Sequence, residues 1–117
     1  MDIEQIRDYC LAKAGTTESF PFDEVTLVFK VMGKMFALVA LDSQPPSLNL
    51  KCDPERAIEL RAAYPSILPG YHMNKTHWNT VSADDSIGSE LLKELIDHSY
   101  QLVVKSLKKT EKQALGL

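Results

Sequence analysis

Three apolar runs in the first half of the chain constrain its fold more strongly than any other feature. Val25–Met32 and Met35–Leu41 are rich in Val, Leu and Phe, and Gly33-Lys34 between them suits a two-residue type II′ turn. Ser47–Cys52 follows as a third run. Because alternate residues of a strand point to opposite sides, Lys30 in the first run and Ser47, Asn49 and Lys51 in the third mark one side of the sheet as reaching water. The pattern predicts an antiparallel sheet with one buried face and one face that reaches water.

Three further segments carry the marks of helices that would cover the apolar side of the sheet. The first begins at Asp2 with a capping-box pattern and ends near Gly15. The second begins at Asp53-Pro54, a carboxylate cap followed by proline at the first helical position, and stops before Pro65. The third, Ser89–Leu107, has a continuous apolar stripe at helical spacing and would span about 28 Å, enough to cross the sheet.

Taken in order, these segments predict the element sequence α-β-β-β-α-β-α, with the last strand within Thr76–Val81. We therefore predict one α/β domain of the α+β type over residues 1–117, with an antiparallel sheet packed on one face by the first and last helices. The Gly15–Glu24 segment is predicted to be a loop whose two phenylalanines plug the edge of the core, and a lid over a ligand is the alternative interpretation. The tail after Thr110 is predicted to fray.

Composition and charge argue against several classes of function. The 117 residues carry a net charge of −3, which argues against strong sequence-independent nucleic-acid binding by the whole surface. Residues 25–81 are nevertheless mildly positive, whereas residues 1–24 are acidic, a pattern that permits a local anion site. No apolar segment approaches the ~20 residues of a membrane span, and no signal-peptide pattern begins the chain. Cys10 and Cys52 lack metal-type spacing. We expect a cytoplasmic monomer with reduced cysteines and no membrane partner.

The Tyr71–Val81 stretch concentrates the side chains most typical of a binding surface. It holds the only Trp and two of the three His, and no acidic residue lies between Glu59 and Asp84. Alternation from Thr76 onward predicts a strand with Trp78 on one side and Asn79 on the other. A tryptophan that simply anchors this strand to the core is the alternative interpretation.

This stretch also carries a resemblance to a known family. Pro69–Val81, which reads PGYHMNKTHWNTV, resembles the signature of the MmcQ/YjbR-like family of small bacterial proteins. The likeness continues through Pro21-Phe22, Lys30–Ala37, Ser47–Cys52 and Leu95–Tyr100. The resemblance implies a sheet with helices on one face, similar to the bacterial frataxin or CyaY-like fold. It also implies DNA binding through a double-wing motif, in a family of uncharacterised biological role, with Lys34 exposed at the tip of one wing.

Nine residues form the candidate nucleic-acid or anion surface: Lys30, Lys34, Lys51, His72, Asn74, Lys75, His77, Trp78 and Asn79. The lysines would contact phosphates, the Asn and His side chains would donate to base edges or phosphates, and Tyr71 or Trp78 would stack on a base. The surface contains no arginine, the residue that best recognises guanine through two hydrogen bonds. The absence of arginine weakens the case for base recognition, but the family resemblance makes DNA the expected partner.

Two other functions are weighed against DNA binding. A protein-interaction or small-ligand-binding module could use the same exposed sheet face, because aromatic and amide side chains are typical of such surfaces. An enzyme or a metal protein is less favoured. His72 and His77 lie five residues apart, which is not a recognised ligand spacing, and no nucleophile motif or glycine-rich phosphate loop is visible. We expect no catalytic residue, no cofactor and no bound metal.

Overall fold

The computed structural model describes residues 1–71 and 73–116. The helices are α1 (Ile3–Leu11), α2 (Pro54–Ala63), α3 (Ser89–Lys105) and α4 (Lys109–Ala114). The strands are β1 (Thr16–Ser19), β2 (Thr26–Val31), β3 (Lys34–Ala40), β4 (Ser47–Lys51), β5 (Ile67–Pro69) and β6 (Trp78–Ser82). The strands form one sheet in the order β1-β2-β3-β4-β6-β5, and every neighbouring pair is antiparallel. The predicted α+β class and antiparallel sheet are confirmed.

The core lies between one face of this sheet and the helices. Alternate residues of the central strands, among them Phe29, Val39 and Leu48, form one continuous buried cluster with side chains of α1, α2 and α3. We call this side the helix face of the sheet and the opposite side the open face. The long helix α3 contributes the largest apolar stripe, buried at Leu92, Leu95, Ile96 and Val103. The predicted packing of helices on one face is therefore confirmed.

Three short elements are absent from the sequence-based prediction. The Gly15–Glu24 segment, predicted as a loop, contains strand β1, whose backbone pairs with β2 although its residues TTES lack an apolar alternation. The three-residue strand β5 forms where two prolines obscured any strand pattern. The tail is also more ordered than predicted, because Lys109–Ala114 forms helix α4 with a capping contact from Glu111 to the backbone of Lys108.

The turn of the β2–β3 hairpin is shifted by one residue from its predicted position. Val31 pairs with Lys34, so the turn residues are Met32 and Gly33, with φ angles of 50° and 80°. Two positive φ angles define a type I′ turn, whose twist suits a two-residue hairpin, rather than the predicted type II′ turn at Gly33-Lys34. Lys34 is consequently the first residue of β3 instead of a residue at the tip.

A β-bulge interrupts the pairing of β2 with β3 and is supported by helix α3. Phe29 pairs with Ala37 and Lys30 pairs with Met35, so Phe36 is the extra residue of the longer strand. The Ser99 hydroxyl of α3 donates a hydrogen bond to the Phe36 carbonyl and accepts one of 2.9 Å from the Lys51 amide. The helix thereby satisfies two backbone groups that the interrupted ladder leaves without strand partners.

Candidate ligand-binding face

The open face of the sheet is arranged in rows that run across the strands. Pairing aligns Thr17 of β1 with Lys30 of β2 and Met35 of β3, and it aligns Lys51 of β4 with Trp78 of β6. We call these five residues the lysine row. The next row lies two residues along β2, β4 and β6 and, because of the bulge, three residues along β3; it includes Val28, Leu38, Asn49 and Thr80. The row beyond it includes Thr26, Ala40 and Ser47. Side chains therefore become smaller with distance from the lysine row.

Trp78 belongs to a small apolar cluster on this face. Its side chain is only 9% exposed and packs with buried Val28 and Leu38, while Met35 and Met73 cover the cluster from outside. The indole is therefore too enclosed to stack on an incoming base, contrary to its predicted role. The alternative interpretation of Trp78 as a residue that anchors its strand is the correct one, although the core it joins lies on the open face.

Beside this cluster, the open face contains a cavity of about 560 Å³. Its floor consists of short or medium side chains from four neighbouring strands: Thr26, Leu38, Ala40, Ser47, Asn49 and Thr80. Phe22 and Asp23, from the loop between β1 and β2, form one wall, and Met73, from the segment that precedes β6, forms another. We call this space the open-face cavity. Its volume lies within the range of small-molecule sites in proteins.

The polar groups of the open-face cavity sit close to apolar ones. The Thr80 hydroxyl donates to the Asn49 side-chain oxygen at 2.7 Å, which orients the Asn49 amide and leaves its two N–H donors without a partner among the described residues. The Ser47 hydroxyl likewise has no hydrogen-bond partner among them. Leu38, Ala40 and Met73 supply the apolar part of the lining. The cavity can thus make directional hydrogen bonds to a ligand that is otherwise apolar.

Asp23 is the one charged residue in the cavity lining that the structure describes. One carboxylate oxygen accepts from the amides of Val25 and Thr26 at 2.9 and 2.6 Å, and the other accepts from the Thr26 hydroxyl at 3.1 Å. These hydrogen bonds hold the pKa of the Asp23 carboxyl below its usual value, so the group is negative at neutral pH. A second consequence is that the carboxylate fixes the loop that carries Phe22.

Three of the eight predicted site residues that the structure describes share the open face. Lys30 and Lys51 are half-buried in the lysine row, one on each side of Met35, and Trp78 is next to Lys51. Lys34 lies on the helix face instead, where its ammonium is 3.4 Å from the Ser106 carbonyl at the end of α3. The one-residue shift of the hairpin turn explains this error, because a shift by one residue reverses the side to which a strand residue points.

Asn79 also lies on the helix face, although it was predicted to belong to the binding surface. It is buried, and its side-chain oxygen accepts a 2.7 Å hydrogen bond from Arg61 of α2. The same guanidinium donates to the Lys75 carbonyl, so Arg61 joins α2, β6 and the segment before β6. Asn79 therefore has a structural role, and its buried amide is satisfied within the protein.

The remaining predicted residues lie in the segment before β6. Asn74 accepts from the Thr76 amide through its side chain, and its carbonyl accepts from the amides of His77 and Trp78, so it stabilises a tight turn. The Lys75 ammonium lies 5.2 Å from the centre of the exposed Tyr71 ring. Lys75 and Thr76 border α2 rather than the open-face cavity. His77 is exposed, and His72 lies outside the described residues.

The cavity itself was not predicted from the sequence, and a ligand lid was only the alternative interpretation of the segment that contains Phe22. Phe20 and Phe22, predicted to plug the core edge, are 48% and 63% exposed, because the segment between β1 and β2 passes over the open face and its rings do not reach the helix-side core. The feature of the sequence that could have indicated this wall is the pair of phenylalanines on both sides of Pro21 in a segment between strands. The alternation of β4 did place Ser47, Asn49 and Lys51 on one side, and the structure puts them there.

Two classes of feature are absent from the described part of the chain. Residues 1–71 and 73–116 contain no group of three or more His, Cys, Asp or Glu side chains arranged to hold a metal ion. No helix within the same ranges combines the length and apolarity that a bilayer crossing requires.

Comparison with known proteins gives consistent relatives. The model of the YjbR family matches residues 11–102. The chain is 35% identical over 115 residues to the uncharacterised protein YjbR of Escherichia coli K12, with 98% of each chain covered. It is 43% identical over 94 residues to the uncharacterised protein YbdF of Escherichia coli O157:H7, and the aligned region covers 80% of this chain and 77% of YbdF. The crystal structure of the DUF419-domain protein DR2400 of Deinococcus radiodurans matches with a TM-score of 0.92 and 48% identity, covering 99% of this chain and 88% of that one.

Proposed function

The chain belongs to the YjbR family, and we propose that it is a binding protein that takes a small ligand whose uncharged, partly apolar ring occupies the open-face cavity. The observation that carries this proposal is the cavity itself. Four strands contribute its floor, and two separate loops rise above the sheet as walls. An open sheet face without a function would not need walls that hold Phe22 and Met73 above small floor residues.

The charges around the cavity favour an uncharged group within the cavity itself. Asp23 would repel an anion inside the cavity, and no cationic side chain is among the lining residues that the structure describes. The Asn49 amide can donate to a carbonyl or ring nitrogen, and the Ser47 hydroxyl can donate or accept. A flat heteroaromatic ring with one or two acceptors matches this combination of apolar contacts and directional donors.

The proposal is tested with uncharged heteroaromatic probes, namely nicotinamide, uracil and 2-pyridone. We expect binding to shift the side-chain amide signals of Asn49 in two-dimensional NMR spectra. The variant Ala40→Leu fills the cavity floor and should weaken that binding at least fivefold. Ala63→Leu makes the same substitution at an exposed position of α2 and should leave it unchanged. The proposal is wrong if no probe shifts Asn49, or if both variants bind as the unsubstituted protein does.

DNA binding is a second candidate, and the lysine row is the specific observation that favours it. Lys30 and Lys51 project from the same face, and no acidic residue lies on the strands of that face among the described residues. Two lysines can contact phosphates, but they supply only a weak affinity that falls as the salt concentration rises.

The DNA candidate predicts that the double variant Lys30→Glu, Lys51→Glu loses binding to labelled duplex DNA at low salt. Lys34→Glu, on the helix face, is the matched control and should retain it. Fluorescence anisotropy at several salt concentrations measures both effects, because two phosphate contacts give a shallow slope of about −2 in log affinity against log salt. Equal losses in the double variant and the control would exclude a role for the lysine row.

A further inference from the structure

We infer that the ligand of the open face is a nucleotide, with its base in the open-face cavity and its phosphate on the lysine row. This inference rests on the proposed function, because it names the class of ligand that the same cavity takes. It follows from the position of the cavity, whose floor residues Leu38, Asn49 and Thr80 form the row next to the lysine row. A cavity suited to an uncharged ring thus lies beside a site suited to an anion.

Distances along the sheet fit a ligand of this kind. Lys51 and Asn49 are two residues apart on β4, so their backbones are separated by about 7 Å. Lys30 and Lys51 lie on strands that are separated only by β3, which places their backbones about 10 Å apart. Their flexible side chains can converge over Met35 on one phosphate. A sugar would then bridge the lysine row and the cavity.

The arrangement of charge gives the ligand one orientation. Asp23 contacts Thr26, four residues from Lys30 along β2, so the negative group lies at the end of the cavity that is remote from the lysine row. A phosphate is repelled from that end and attracted to the other. The Asp23 carboxylate can also accept a hydrogen bond from an exocyclic amino group of a base. A ring that carries only carbonyl groups has no such donor.

The exposed Phe22 ring supplies the remaining contact. It stands in the cavity wall with most of its surface in solvent, where a base can stack against it. Base stacking on an aromatic side chain does not depend strongly on base identity, so we expect modest discrimination between bases. Recognition of the phosphate and the ring, rather than of a sequence, is the specificity that this face provides.

Isothermal titration of the full chain with AMP and with adenosine tests the inference. AMP should bind at least tenfold more tightly than adenosine, since only AMP carries a phosphate for the lysine row. The double variant Lys30→Gln, Lys51→Gln should abolish this difference and leave adenosine binding unchanged. The control Lys34→Gln should preserve the difference. Phe22→Ala should weaken both ligands by at least fivefold.

A single-stranded oligonucleotide of about ten residues separates the two sources of the same chemistry. Tighter binding of the oligonucleotide than of AMP, lost in the Lys30, Lys51 double variant, identifies a base within a nucleic-acid strand as the ligand. Tighter binding of AMP identifies a free nucleotide. The inference is overturned if AMP binds no better than adenosine and the oligonucleotide does not bind. If the neutral probes still bind in an Ala40-dependent manner, the proposed function survives that failure.

Discussion

At the scale of single residues, the site depends on side chains whose hydrogen bonds the sequence does not disclose. Asn49 and Asn79 are the same residue type on paired strands, yet one faces the cavity and the other is buried against Arg61. Strand alternation alone separates them, and the predicted placement of Trp78 opposite Asn79 already contained that information. Grouping Asn79 with the binding surface followed its chemistry instead of its position in the strand, and the grouping was wrong.

Ser99 is the residue whose structural role is least visible in the sequence. In the sequence it occupies a place in the apolar stripe of the last helix, where a serine carries no obvious role. In the structure it is fully buried, and its hydroxyl serves both the Phe36 carbonyl and the Lys51 amide at the bulge. A buried backbone group without a partner is costly, so this single hydroxyl holds the bulge in place.

We therefore expect Ser99→Ala to lower the free energy of unfolding by about 2–3 kcal/mol, because two buried backbone groups lose a partner. Urea denaturation followed by circular dichroism measures this difference. Ser106→Ala is the matched control, since Ser106 is exposed and its hydroxyl bonds only to the Val103 carbonyl of its own helix. A destabilisation no larger than that of the control would contradict the role assigned to Ser99.

At the scale of elements, sequence patterns found the long helices and the strands with clear apolar alternation. The capping box at Asp2 and the proline after Asp53 are both present as predicted. The short elements escaped because backbone pairing, not side-chain pattern, creates them. Strand β1 is polar throughout, and β5 contains only three residues. The position of the β2–β3 turn was the most consequential error, because it placed Lys34 at the hairpin tip instead of in β3.

The hairpin turn offers a stabilising substitution. Met32 has a φ of 50°, a conformation that Asn adopts more readily than Met, and its side chain is 37% exposed. We expect Met32→Asn to raise the free energy of unfolding by about 0.5–1 kcal/mol. Chemical denaturation provides the measurement. Met32→Leu retains the strained conformation and should give no gain, so equal stabilisation by both variants would refute the explanation.

At the scale of the whole molecule, the two faces of the sheet have different roles, since one contains the core and the other contains the cavity. The helix face contains the large core and was predictable, because helices and alternating strands together determine which side chains are buried. The open face was predictable only in part. Sequence analysis identified it as a wet face with Lys30 and Lys51, but the cavity requires loops that return over the sheet from β1 and from β5. No local pattern specifies where such loops return.

The net charge of −3 is also informative at this scale. A protein that held long stretches of nucleic acid by its surface would need an excess of cations that this chain lacks. Two lysines beside the open-face cavity can instead hold one or a few phosphates. The charge distribution therefore agrees better with recognition of a nucleotide-sized ligand than with tracking along a duplex.

Arg61 connects the two sides of the molecule in a way that affects how variants should be chosen. Its guanidinium ties α2 to the chain segment that ends in Trp78 and includes Met73, a wall of the cavity. A substitution on the helix face can thus alter the open-face cavity without any change in the residues that would touch a ligand. Searches for mutations that alter affinity should accordingly sample positions on the helix face as densely as positions on the open face.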